Sequence, residues 1–354
     1  MDRARKPSPG AQDEPPAKLQ PELQPGAQLT PQLRALYDGV RLGRRRELAK
    51  AITLVESSLP QHRQQAVALL DALAPCAGGA FRIAITGAPG AGKSTFIEAF
   101  GLHLVQQGLR LAVLAIDPSS TRSGGSILGD KTRMEELGRR PEAFIRPSPS
   151  GGASGGVADK TRESLLLCEA AAYDVVIVET VGVGQSETAA ADMCDVFVLL
   201  HLPNSGDDLQ AIKRGVVELA DVVVCNKADI DATASQRAML QMQGALRLLQ
   251  PQWPNWRPQV LQTSALKNVG VDAFWLTLQE FRRIVSEDGS LAQKRSHQAL
   301  HWMWRRIDAG LRERFRAHPG VVASLPKVEQ GVVNGEVSPG AAAQHLLNML
   351  NRYF

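Results

Sequence analysis

The chain has little cysteine and no long apolar run. None of its apolar stretches reaches the ~18 residues that a membrane-spanning helix needs. The N-terminus also lacks the apolar core of a secretion signal. Its four cysteines are scattered and include no C-x-x-C pair, which argues against a disulfide framework. We therefore expect buried free thiols in a cytoplasmic protein without a membrane segment. The cysteines are Cys76, Cys168, Cys194 and Cys225.

A strong charge of one sign is also missing. The 354 residues carry 40 basic and 36 acidic side chains, for a formal net charge of +4. This balance is too even to indicate a nucleic-acid partner. The local basic run at 44–46 is better explained as the solvated face of a helix. Hydrophobic residues make up 44% and charged residues 21%, which is typical of a globular protein.

Large apolar residues are almost absent from positions 1–28, which hold many of the prolines and only two leucines. Such a segment cannot bury enough surface to fold, so we expect a disordered, proline-rich tail. A mitochondrial presequence is the alternative, but four acidic residues argue against it. They are Asp2, Asp13, Glu14 and Glu22.

Helical periodicity begins after this tail. Between 31 and 58 the large apolar residues recur at helical spacing, and Gly43 marks a break between two helices. A further helical pattern covers 63–74, and Gly78-Gly79 ends it. The region 29–80 is therefore predicted to be an N-terminal helical extension.

From residue 81 the pattern changes to seven short apolar runs that alternate with helical segments. Runs this apolar suit strands covered on both faces, so we predict an α/β fold with a doubly wound, mostly parallel sheet at 81–287. Helices are then expected at about 269–286, 289–317 and 339–350. The seven runs are FRIAIT, RLAVLAI, AFIRP, DVVIVE, VFVLL, DVVVCN and PQVLQT.

The stretch GAPGAGKST matches the pattern G-x-x-x-x-G-K-S, follows the first predicted strand and opens a helix. That context is what a phosphate-binding loop requires. The glycines let the loop wrap a phosphate, with main-chain N–H groups and the helix terminus directed at it. Lys93 would supply a charge to the β- and γ-phosphates, and Ser94 a hydroxyl to Mg²⁺. The predicted nucleotide-binding residues here are Gly87, Ala88, Pro89, Gly90, Ala91, Gly92, Lys93, Ser94 and Thr95.

A second motif, N-K-A-D at 226–229, directly follows the strand DVVVC. Together with a phosphate-binding loop it indicates selection of guanine. Asp229 can accept two hydrogen bonds from the N1–H and amino group of guanine, which adenine does not offer. Asn226 can reach the N7 edge, and the stem of Lys227 can lie over the ring. Ser264-Ala265-Leu266, after the last strand, is placed to complete the base pocket, with the Ala265 N–H facing O6; Ser264 can also cap a turn.

Three acidic residues follow predicted strands or lie in loops beside them. Asp117 ends RLAVLAI, Asp130 lies in a glycine-bearing loop, and Glu179 ends DVVIVE. The carboxyl ends of parallel strands meet at the ligand crevice of such a sheet. Mg²⁺ bound to phosphates needs only one or two direct carboxylates, so these three are candidate magnesium ligands. For Asp117 and Asp130 the alternative is a turn cap.

These motifs, in this order, resemble the P-loop metallochaperone-type GTPases, and within them the methylmalonyl-CoA mutase-associated (MeaB/ArgK) family. The resemblance covers roughly 36–285. One departure is Ala153-Ser154, where relatives often have Thr or Ser followed by Leu. The segments that carry the resemblance are AITLVES, GAPGAGKST, IDPSS, SGGSILGDKTRM, IRPSPS, ETVGVGQSE and NKAD.

The resemblance implies a GTPase chaperone that uses GTP and GDP to gate the loading, protection and reactivation of an adenosylcobalamin-dependent acyl-CoA mutase. The partner would handle adenosylcobalamin, and an adenosyltransferase is a further implied partner. The family also implies a homodimer through a C-terminal arm, here 288–354. Its magnesium ligands correspond to Ser94, Asp117, Asp130 and Glu179.

Catalysis is expected to be slow. Val183 stands where many nucleotide switches carry a water-orienting Gln, so we expect a partner to stimulate the reaction. The candidate catalytic residues are Lys93, Glu179 and Gln185. The segment LPNSGDDLQAIK looks like a third mobile element, with Asp207, Asp208 and Lys213 as candidate switch residues; a solvated surface loop is the alternative.

Three other functions remain open at this point. A metal-insertion GTPase would need Cys and His ligands near the nucleotide or a His-rich tail, and the histidines here are isolated. A protein-targeting GTPase would need a Met-rich domain, and the chain holds seven methionines. A kinase serving amino-acid transport would need an acceptor site that the sequence does not reveal.

Overall fold

The computed structural model describes residues 29–57, 59–116, 134–147, 156–180, 185–203 and 215–350. All seven predicted strands are present and form one sheet. Each is short, and all but the edge strands β3 and β7 are almost fully buried, as expected for strands covered on both faces. The strands are β1 Phe81–Gly87, β2 Leu111–Ile116, β3 Ala143–Arg146, β4 Val175–Thr180, β5 Val196–His201, β6 Val222–Cys225 and β7 Gln259–Gln262.

The sheet has the order β3-β2-β4-β1-β5-β6-β7, and every pair in it is parallel. This confirms the predicted doubly wound sheet. In the register between the neighbours β1 and β4, Ile85 pairs with Glu179. The carboxyl end of β4 therefore lies beside the loop that leaves β1, which brings two of the predicted motifs together.

Helices connect and cover the strands, and their ends follow local signals. The Thr30 hydroxyl caps the first helix by accepting from the Leu33 N–H, and Gly43, at φ 65°, separates the first two helices as predicted. Before the sheet come α1 Pro31–Arg41, α2 Arg45–Glu56 and α3 Pro60–Leu73. Within it come α4 Lys93–Gln106, α5 Glu135–Arg139, α6 Gly156–Ala170, α7 Gln185–Ala191, α8 Ala232–Arg247 and α9 Val271–Glu287. After it come α10 Ser290–Ala317, α11 Pro319–Val333 and α12 Pro339–Leu350.

A hydrophobic core lies on each side of the sheet. On one side the N-terminal helices contribute residues such as Leu48 and Ile52, which are fully buried. On the other side the ring of Phe274 packs edge-on against Phe96 and Phe100, with ring centroids 5.0 and 4.9 Å away. The N-terminal extension is thus part of the main core, because it buries the sheet face that α4 and α9 leave open.

The C-terminal region contains one helix that the sequence pattern did not predict. Helix α11 begins at Pro319 and holds Pro326 in its interior. Proline is well tolerated at the first position of a helix, so Pro319 begins a helix in the interval between the predicted helices at 289–317 and 339–350. No helix in the described part of the chain is long and apolar enough to cross a membrane. The predicted tail at 1–28 lies outside the described residues.

Candidate functional site

The phosphate-binding loop joins β1 to α4 as predicted. It begins at Gly87, where β1 ends, and Gly92 precedes the first residue of α4 with φ at 85°. A side chain at Gly92 would place its Cβ 2.7 Å from the amide nitrogen of Asn226. Glycine is therefore required at this position both for its backbone conformation and for the close approach of the guanine motif.

The ammonium group of Lys93 lies over this loop. Its Nζ donates to the main-chain carbonyls of Gly87 at 2.7 Å and Ala88 at 3.3 Å. A flexible stem and three donors allow the same group to reach a phosphate bound in the loop. Its contact with the β- and γ-phosphates stays a prediction.

A hydroxyl and a carboxylate meet beside the loop. The Ser94 hydroxyl donates to Oε1 of Glu179 at 3.4 Å. Both are oxygen donors of the kind that Mg²⁺ prefers, and they are close enough to share one ion. The residues present therefore fit a magnesium site. The two other predicted ligands, Asp117 and Asp130, lie outside the described residues.

Two buried threonines support this edge of the sheet. The hydroxyl of Thr180 donates to that of Thr86 at 2.7 Å, and both side chains are buried. Each threonine adjoins a functional residue, since Thr180 follows Glu179 and Thr86 precedes Gly87. The bond thus fixes the ends of β4 and β1 relative to each other. A threonine at or next to the carboxyl end of a buried strand is the sequence signal that could have identified this pair.

Asn226 connects the guanine motif to the phosphate-binding loop. Its Nδ2 donates to the carbonyl of Ala91 at 2.9 Å. Its Oδ1 accepts from the Thr263 hydroxyl at 3.2 Å and from the Ala265 N–H at 3.3 Å. The Asn226 side chain was expected to face the N7 edge of the base, and the Ala265 N–H was expected to face O6. In this structure both groups instead form hydrogen bonds within the protein. Asn226 thus joins its own motif to the phosphate-binding loop and to the segment that follows β7, and so holds these three segments together.

Asp229, the residue predicted to accept from guanine, is held as a hydrogen-bond acceptor. A hydrogen bond from the Ser264 hydroxyl lowers the pKa of its carboxyl below the ordinary value. Ser264 also accepts from the Lys267 N–H at 3.2 Å, so it caps its turn and orients the carboxylate. Lys227 has a left-handed backbone, with φ at 61°, a conformation that is uncommon for a residue with a side chain. Leu266 is 80% exposed, at the outer rim of this group.

One further candidate catalytic residue, Gln185, lies near the end of β4. Gln185 is the first residue of α7, directly after the loop that follows β4. The candidate switch residues Asp207, Asp208 and Lys213 lie outside the described residues, as do Val183 and the departure at Ala153-Ser154.

The parallel sheet, the glycine loop that opens α4, and the contacts of Ser94 with Glu179 and of Asn226 with the loop together define a P-loop GTPase. The family model for the methylmalonyl-CoA mutase-associated GTPase MeaB matches residues 48–320. The chain belongs to this family, as its motifs predicted.

Known proteins are similar over nearly the whole length. A protein of Caulobacter vibrioides described as a GTPase is 53% identical over 305 residues, which cover 86% of this chain and 94% of that protein. The mitochondrial methylmalonic aciduria type A homolog of Mus musculus is 47% identical, with 88% and 78% covered. The solved structure of a LAO/AO transport system kinase has a TM-score of 0.71 at 38% identity, with 90% and 97% covered.

Proposed function

We propose that this protein hydrolyses GTP slowly and uses the GTP cycle to gate adenosylcobalamin loading, protection and reactivation of an acyl-CoA mutase. The observation that carries the proposal is the bond between Asn226 and Ala91, which makes the guanine motif and the phosphate-binding loop one site. Family membership supports the choice of partner, because the family's description names association with methylmalonyl-CoA mutase.

The geometry suggests how each group acts on GTP. The main-chain N–H groups of the loop and the start of α4 would hold the phosphates, and Lys93 would turn from the loop carbonyls to the β- and γ-phosphates. Asp229, kept ionised by Ser264, would accept the guanine N1–H and amino group. Ser94 and Glu179 would hold Mg²⁺, which neutralises charge on the phosphates when it is bound.

The rate of hydrolysis depends on how the attacking water is oriented. Gln185 and Glu179 are the candidates in this chain, since Val183 replaces the Gln of many switches. We expect the bound mutase to reorganise the segments around the γ-phosphate, including the candidate switch segment at 202–213, and so to raise the rate. The mutase would carry the corrinoid, and an adenosyltransferase would supply it.

We further propose that 288–354 forms the interface of a homodimer. Helix α10 exposes several large apolar side chains, and α11 and α12 add others. A contiguous apolar surface on a single chain indicates a protein interface. The exposed residues on α10 are Leu300, Met303, Trp304, Ile307 and Leu311.

The test measures phosphate release from GTP by the full chain, alone and with purified methylmalonyl-CoA mutase carrying adenosylcobalamin. We expect slow release alone and a clear increase with the mutase. Lys93→Ala serves as the inactive control, because it removes the phosphate contact while Asn226 and Asp229 remain. An unchanged rate with the mutase would exclude this partner but leave GTP hydrolysis standing, whereas no release above the Lys93→Ala level would refute hydrolysis itself.

A further inference from the structure

A cavity between α3, α6 and α10 lies apart from the nucleotide site. Its volume of about 510 Å³ is in the range of sites for small organic ligands. Arg82, the second residue of β1, contributes to it, so it lies near the amino end of the strand whose carboxyl end leads to the phosphate-binding loop. Leu70, Leu166 and Trp302 supply apolar walls.

Two of the acidic residues in its walls are already paired. The oxygens of Glu169 accept from Nε and Nη2 of Arg82, both at 2.8 Å, in a bidentate pair. Glu163 pairs with Arg306 of α10 at 3.1 Å. These four charges cancel. The remaining acidic residue of the lining, Asp71, is exposed to solvent.

Arg162 forms no ion pair within the described part of the chain, although the charges of Glu169 and Asp192 attract it. It projects from α6 into the lining and lies over the ring of Trp302, 5.3 Å from the centroid. Within the described part of the chain no hydrogen bond or ion pair engages its guanidinium. Burial and then repulsion by Arg82 lower the pKa of Arg162 to about 10. The half-buried cation is therefore in an unfavourable environment, which the contact with Trp302 offsets only in part.

We propose that this cavity binds a small organic anion, with a carboxylate or phosphate group on Arg162 and an apolar body against Trp302 and Leu166. A guanidinium presents a planar fork of donors that matches both kinds of anion in a bidentate manner. The ligand would supply the missing countercharge and fill the apolar part of the cavity. Because it would touch α3, α6 and α10 together, its binding would also fasten α10 to the rest of the protein.

The experiment uses the full chain saturated with GDP and Mg²⁺, so that the phosphate-binding loop is occupied. Inorganic phosphate, benzoate and phenyl phosphate are titrated at millimolar concentration, with calorimetry and melting temperature as readouts. We expect saturable binding of benzoate or phenyl phosphate, and the two arms distinguish a carboxylate from a phosphate ligand. Arg162→Met should weaken binding at least about tenfold, since it removes charge-assisted hydrogen bonds.

The same variant separates binding from a structural role. Removing an unpaired, half-buried charge should leave the melting temperature of the ligand-free protein unchanged or raised. Arg237→Met, on the exposed surface of α8, is the matched control and should bind the probes like the parent. Leu166→Phe should also weaken binding by filling the cavity while Arg162 is kept.

Three results would overturn the proposal. One is that none of the probes binds the parent protein. Another is that Arg162→Met binds as well as the parent, which would place the ligand elsewhere. The third is that Leu166→Phe folds and retains full affinity. None of these depends on GTP turnover, so they leave the proposed hydrolysis untouched.

Discussion

The side-chain amide of Asn226 donates a 2.9 Å hydrogen bond to the carbonyl of Ala91, a residue 135 positions earlier in the chain. The bond closes the gap between the loop that binds phosphate and the motif that selects the base. Its buried position makes it costly to leave either group unpaired.

Asn226→Ala should therefore weaken the binding of both GTP and GDP. The change frees the Ala91 carbonyl and the Ala265 N–H, and a buried group left unpaired costs about 1–3 kcal/mol. Calorimetric titration should show at least about a tenfold loss of affinity for each nucleotide. Asn255→Ala is the control, because its bond to Asp288 is exposed and distant from the loop. Equal loss in the two variants would contradict the linking role of Asn226.

Asp229→Asn should change the preferred base. The unaltered carboxylate accepts from the two donors of guanine, whereas an amide can donate to the extra carbonyl of xanthine. We expect a gain for xanthosine nucleotides and a loss for GTP of about 3 kcal/mol, the cost of an unmatched polar site. Competition between labelled GTP and unlabelled XTP or ATP measures this. If the parent protein binds ATP as tightly as GTP, the assignment of Asp229 is wrong.

Gly92→Ala should abolish nucleotide binding. Its Cβ would lie 2.7 Å from Asn226 Nδ2, and its φ of 85° is unfavourable for alanine. Gly108→Ala is a matched control, since Gly108 has φ at 79° with open space around its missing Cβ. Both variants should lose about 1 kcal/mol or somewhat more of stability from backbone strain. In a filter-binding assay, only Gly92→Ala should fail to bind GDP. If both variants fail to bind GDP, backbone strain rather than the contact with Asn226 is the cause.

Arg295→Ala should destabilise the fold strongly. Its guanidinium donates to both oxygens of Asp195, at 2.8 and 2.6 Å, and the Asp195 side chain is fully buried. Removing the arginine leaves that buried charge without its salt bridge, although the Arg82 N–H still donates to it, and breaking such a pair costs about 3–5 kcal/mol. Denaturant titration measures the free energy of unfolding. In contrast, Arg283→Ala breaks only exposed pairs with Glu280 and Glu287 and should cost less than about 1 kcal/mol. Similar losses for the two would refute the distinction.

The thiols should differ sharply in reactivity. Burial raises the pKa of Cys168 and Cys194 well above the ordinary value, so neither forms a thiolate in the folded protein near neutral pH. Cys225 is also buried, whereas Cys76 is half-buried. Iodoacetamide at pH 8 should therefore label Cys76, and mass spectrometry should find the other three only after unfolding. Rapid labelling of Cys168 in the native protein would contradict its burial.

Local sequence accounts for most of the fold and for part of the site. The seven apolar runs predicted seven strands because strands buried on both faces need continuous apolar residues, and the glycine loop was recognisable from its place between β1 and α4. The sequence pattern did not predict helix α11, because proline disrupts the interior of a helix but is favourable as its first residue. That choice depends on what the segment packs against.

By itself, the sequence determined the motifs, namely the groups predicted to bind phosphate, magnesium and guanine, since each is encoded within a few consecutive residues. Only the tertiary structure decided which distant groups touch. It turned Asn226 toward the phosphate-binding loop, placed Ser94 beside Glu179, and paired Glu169 with Arg82, while Arg162 forms no ion pair with any residue that the structure describes. Such contacts arise from the packing of whole helices against a sheet. The periodicity of a single segment shows which of its faces is buried, but it does not show which side chain of another segment will pair with a given charge.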